Sequence, residues 1–166
     1  MIPISTTILH GLLICIPFTI FALVSFWCWP RLWLHSLPPD IVAMAGQKTA
    51  AELRQTNYLL IPVIIILPGL SAASTLYAAM TTKTDLSLIG TVVHLYSIWI
   101  IVHLWDFVVI DCGHALFINA QRPPIAGTEG AKGYRDYGFH FRAFLRATFK
   151  SILFVIPTAL ILSLVS

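Results

Sequence analysis

Long apolar runs separated by short polar ones set the pattern of this chain. Four runs, Thr6–Trp29, Tyr58–Met80, Leu88–Phe117 and Phe144–Leu164, each reach the roughly 20 residues that a helix needs to cross a bilayer. A helix that is apolar all round faces lipid or other helices rather than water. The pattern predicts an all-α membrane bundle of four transmembrane helices, forming a single domain over residues 1–166, with a short interfacial amphipathic helix before the fourth.

The first run reads as a retained helix rather than a signal peptide. No Lys or Arg precedes it, and its end, SFWCWP, offers no small-x-small cleavage site. Pro17 bends it, and Trp27, Trp29 and Trp33 suit an interfacial belt. In the polar connection Arg31–Thr56, Pro38-Pro39-Asp40 breaks any helix, with Asp40 as a cap for the short helix that follows. Glu52 and Arg54 read as solvated or headgroup-facing charges. Pro62 and Pro68-Gly69 make the second span irregular, and Gly69, Ser71, Ala72, Ala73 and Ser74 form a small-residue patch suited to close packing. The third span has no proline; the fourth has Pro157. In Lys132–Arg146, Tyr134, Tyr137, Phe141 and Phe144 fall within about 80° of one another on a helix, while Lys132, Arg135, Arg142 and Arg146 gather elsewhere. That is the pattern of a helix lying in the membrane interface.

Composition removes the soluble alternatives. Hydrophobic residues make up 58% of the chain and charged residues 10%, against about 25% charged in soluble domains, and the mean hydropathy is +0.86. The ten basic residues lie asymmetrically. Arg31, Lys48 and Arg54 follow the first span; Arg122, Lys132, Arg135, Arg142, Arg146 and Lys150 surround the start of the fourth; only Lys83 lies on the other side. The positive-inside rule then predicts cytoplasmic loops at 31–56 and 118–143 and both termini outside. The basic residues serve topology, so nucleic acid is not an expected partner. Cys15, Cys28 and Cys112 show no zinc-type spacing and read as small hydrophobes; neither metal nor cofactor is implied.

Candidate chemistry concentrates in Thr91–Asn119, which carries His94, His103, Asp106, Asp111 and His114 within one apolar span. An ionised group in a bilayer costs several kcal/mol, so such residues usually face a protein interior or a cavity. With His103 at 0° and about 100° per residue, Tyr96 and His114 fall near 20°, Asp106 near −60° and Asp111 near 80°. Trp99 and Phe107 lie between them, and His94 points the opposite way. A carboxylate beside an imidazole suits proton transfer, so Asp106, Asp111, His103 and His114 are the candidate catalytic residues. The following loop supplies a candidate lid. Arg135 or Arg142 would bind an anionic headgroup, and Glu129, Asp136 or His140 would meet Asp111 and His114 from below. The candidate substrate-binding set is thus Tyr96, Trp99, Phe107, Glu129, Arg135, His140 and Arg142.

This equipment predicts an intramembrane acid–base enzyme, such as an isomerase or cyclase, whose partner is a membrane lipid or isoprenoid. The alternatives are a proton- or ion-conducting protein, alone, as a homo-oligomer or beside a partner membrane subunit, and an accessory protein without chemistry of its own. A di-iron or haem site is weaker, because the other spans lack interior carboxylates and His94 lies off the stripe. The PPDI element at Pro38–Ile41 and the run at Gly127–Arg142 resemble segments of small four-span bacterial integral membrane proteins. The resemblance implies a fold and a bacterial inner membrane, and no chemistry. A looser analogy runs to membrane cyclases that protonate isoprenoids, which no motif here matches residue by residue.

Overall fold

The computed structural model describes residues 1–113 and 123–165. They form α1 (Ile4–Cys28), α2 (Pro39–Ala45), α3 (Ala50–Thr82), α4 (Leu88–Trp105), α5 (Tyr137–Lys150) and α6 (Ile152–Val165). The α4 helix runs on as a π-helix over Asp106–Cys112, and short 3₁₀ turns lie at Pro30–Ser36 and Lys132–Arg135. Among the described residues there is no strand. Four helical units are long and apolar enough to cross a membrane: α1, α3, α4 with its extension, and the α5–α6 pair. The α6 helix has 14 residues, about 21 Å at 1.5 Å per residue, so it needs part of α5 to complete a crossing. Ser151 joins the two, and its hydroxyl donates to the Thr148 carbonyl at 2.7 Å.

The α4 helix sits at the centre and packs against α1, α3, α5 and α6. The α1 face that meets it is lined by small residues: Gly11, Cys15, Ala22 and Ser25 are all buried. A Cβ on Gly11 would come within 2.8 Å of the Ile101 side chain, so glycine permits this close approach. Ile14, Leu95, Ile98, Val102, Val155 and Leu162 fill the core around that contact. The α3 helix is peripheral: Ile61, Ile64, Ile65 and Ile66 are all more than half exposed, as expected of a lipid-facing surface. Gly69 looks into open space. Close packing on α3 comes instead from Ser71, Thr75 and Ala78, which are buried at helical spacing.

The connections are built differently from the sequence reading. The helix that carries the second span begins at Ala50, ahead of Tyr58, because Thr49 and Glu52 form a reciprocal capping box. Glu52 also accepts from Arg31 Nε at 2.6 Å, so it is not a free solvated charge. Arg31 in turn donates to the carbonyls of Ala45 and Gln47 at 2.7 and 3.0 Å, which satisfies the C-terminal end of α2. Asp40 does not cap α2, which starts at Pro39; its Oδ2 accepts from the Gly133 N–H at 2.8 Å across the two loops. A Cβ on Gly133 would run into Asp40 and Pro38, which fixes glycine at that position. A second small core, Leu34, Ile41, Ile125 and Tyr134, sits under these loops.

Candidate functional site

The loops and α5 close over one end of the bundle, and beneath them lies a cavity of about 650 Å³. Its apolar walls come from Phe18, Ala22 and Phe26 of α1, Phe107 and Ile110 of the π-helix, and Phe144 of α5. Its polar groups are His103, Asp106 and Asp111 from the central helix, His140, Arg146 and Lys150 from α5, and His35 and Tyr134 from the 3₁₀ turns. The size suits a small-molecule site lined mostly by apolar and aromatic side chains with a few convergent polar groups.

The change of winding at Asp106 matters most for this geometry. On a continuous α-helix Asp106 and Asp111 stand about 140° apart at about 100° per residue. The i→i+5 bonding of a π-helix widens the turn and swings residue 111 back toward the side occupied by residue 106. Both carboxylates consequently line the same cavity. Such π-turns are frequent at functional sites.

The two aspartates have different surroundings. Asp111 Oδ2 lies 3.2 Å from His140 Nδ1, a contact between the central helix and α5. No hydrogen bond reaches the Asp106 carboxylate among the described residues. His103 Nδ1 lies 3.3 Å from Thr148 Oγ1, which steadies its ring from α5. Trp105 Nε1 donates to Thr19 Oγ1 at 2.9 Å, locking the central helix to α1 where the π-turn begins. Phe107 lies against Phe141 and Phe144, with ring centres 5.7 and 5.9 Å away.

The other candidate residues among those described lie apart from the cavity. Trp99 is buried in the core, edge-to-face with Phe154 at 4.6 Å, and Tyr96 packs half-buried on the same core. Glu129 accepts from the Gly127 N–H at 3.1 Å within its own turn. Asp136 caps α5 through a 2.8 Å bond from the Phe139 N–H. Arg135 and Arg142 are exposed. His114 lies outside the described residues. The cavity-lining residues His35, Tyr134, Arg146 and Lys150 were not among the site residues expected from the sequence, which put Tyr134, Arg146 and Lys150 in the interfacial and basic patterns only. A helical stripe, Phe139, Ala143, Arg146 and Lys150, was available to find two of them; His35 and Tyr134 reach the cavity through loop folding that carries no periodic signal. Burial raises the Tyr134 phenol above its usual pKa, against the effect of a 2.8 Å bond with Thr128 Oγ1.

Fold and site define a four-span membrane bundle with a polar, aromatic-walled cavity at one end. The chain matches no protein-family model, no curated protein and no solved structure.

Proposed function

We propose that the cavity is an intramembrane acid–base site acting on a lipophilic substrate, a lipid or isoprenoid that it isomerises or cyclises. The observation that carries this reading is Asp106: a carboxylate with no hydrogen-bond partner among the described residues, on the wall of an aromatic cavity. Its carboxylate opens to the cavity rather than to a packing partner, so it is free to meet a substrate there. In this reading Asp106 delivers a proton to one carbon of a substrate double bond, which leaves the cation on the other, and His103, one helical turn away, takes a proton from a carbon next to that cation. The Asp111–His140 pair relays the proton gained by His103 back to Asp106, so that no net proton is consumed. Phe107 and Phe144 face a developing cation. Arg146 and Lys150, both exposed at the cavity margin, receive an anionic headgroup in the role first expected of Arg135 and Arg142. We further propose that this end of the bundle is cytoplasmic, on the distribution of basic residues.

A proton-conducting role is less well supported. Between His94 and His103, α4 buries Leu95, Ile98, Trp99 and Val102, an apolar layer that interrupts a relay through the single chain. The experiment is turnover of lipid and polyprenyl substrates by the purified protein in liposomes. Product formation that vanishes in Asp106→Asn and Asp111→Asn supports the reading; activity retained in both variants removes it.

A further inference from the structure

At the end of the bundle away from the cavity, two buried histidines face one another. His10 of α1 and His94 of α4 have ring centres 6.4 Å apart, inclined at 73°, and are 8% and 3% exposed. His94 Nδ1 lies 2.7 Å from Thr7 Oγ1. That hydroxyl donates its own proton to the Pro3 carbonyl at 3.2 Å, so it accepts from Nδ1–H. A neutral imidazole carries one N–H; Nε2 of His94 therefore holds a bare lone pair. It is buried and has no hydrogen-bond partner among the described residues. His10 is held in a similar way, with Nδ1 2.6 Å from Ser74 Oγ of α3.

We propose that His10 and His94 form a two-coordinate copper(I) site. Two metal–nitrogen bonds of about 2 Å, with roughly 1 Å from each nitrogen to its ring centre, set ring centres roughly 6 Å apart, which is the separation observed. A hydroxyl on the second nitrogen of each ring holds its orientation, as outer partners of metal-bound histidines do. No group of three or more His, Cys, Asp or Glu converges among the described residues, so the four donors of a structural zinc site are lacking. Copper(I) accepts imidazole donors, is satisfied by two in line, and brings a single charge into an apolar site.

The test uses the full chain in detergent, carrying Cys28→Ser to remove its exposed thiol, loaded with copper(I) without oxygen against bicinchoninate as competing chelator. The expected result is one copper retained per chain, nitrogen without sulfur around it by X-ray absorption, and affinity at least about tenfold weaker in His10→Gln and His94→Gln. Thr7→Val keeps both ligands and removes the hydroxyl that orients one. It weakens binding about ten- to a hundredfold and decides the matter if the histidine variants do not fold. No retained copper, sulfur around the metal, or affinity unchanged by Thr7→Val and by whichever histidine variants fold overturns the site.

Discussion

Single side chains divide into those that hold the fold and those the fold exposes to a cavity. Tyr134 belongs to both groups: it is buried, bonded to Thr128, and lies at the cavity's loop side. Burial raises its pKa in the folded state. Its share of stability is therefore complete below the unfolded value of about 10 and is lost as pH rises through the higher folded value. Thermal unfolding across alkaline pH should show a steeper loss in wild type than in Tyr134→Phe. That variant should itself cost about 1 kcal/mol at neutral pH, for one lost hydrogen bond. Parallel alkaline profiles would show that Tyr134 does not carry the effect. Asp106 is the opposite case. With no bond to lose, Asp106→Asn should leave the melting temperature nearly unchanged while turnover falls about 10²- to 10⁴-fold, the usual worth of a general acid or base.

Among elements, the central helix is where sequence reasoning both reached furthest and stopped. The four spans were legible because a run of about 20 apolar residues has few other uses, and a membrane requires its backbone bonds to close within the segment. The facing of His103 and Asp106 was legible too, because α-helical winding holds as far as Trp105. The π-turn was not: DFVVIDC contains no proline or glycine, and the extra residue in that turn leaves no compositional trace. Nor can one helix's angles reveal which neighbour meets it, so Thr7 as the partner of His94, and Thr148 as that of His103, appear only with tertiary packing. Deleting Val109, an exposed residue outside the buried core, tests the π-turn by letting the segment return to α-winding. Asp111, then four residues from Asp106, stays within about 40° of it, so activity should stay within about tenfold of wild type, with insertion and helix content retained. A fall to the level of Asp111→Asn would mean that the shared facing of the two carboxylates is not what the π-turn provides.

For the whole molecule, polarity is distributed by end. One end holds the cavity, the loop clamp between Asp40 and Gly133, and most basic residues; the other holds the His10–His94 pair. The proposed orientation follows from this asymmetry. In sealed vesicles of known sidedness, an impermeant thiol reagent should label Lys83→Cys from the outer face and Gln47→Cys only after permeabilisation, in a Cys28→Ser background. The reverse pattern would invert the topology and place the cavity outside. Proton transfer to and from carbon within the cavity is the step on which the proposed function depends, and solvent-isotope exchange reads that step whatever the product. Purified protein in liposomes containing polyprenyl and phospholipid substrates would be incubated in deuterium oxide and the lipids examined by mass spectrometry. Wild type is predicted to place non-exchangeable deuterium in one lipid class, and Asp106→Asn to place none. No incorporation by wild type, or equal incorporation by Asp106→Asn, would contradict an acid–base role for the cavity.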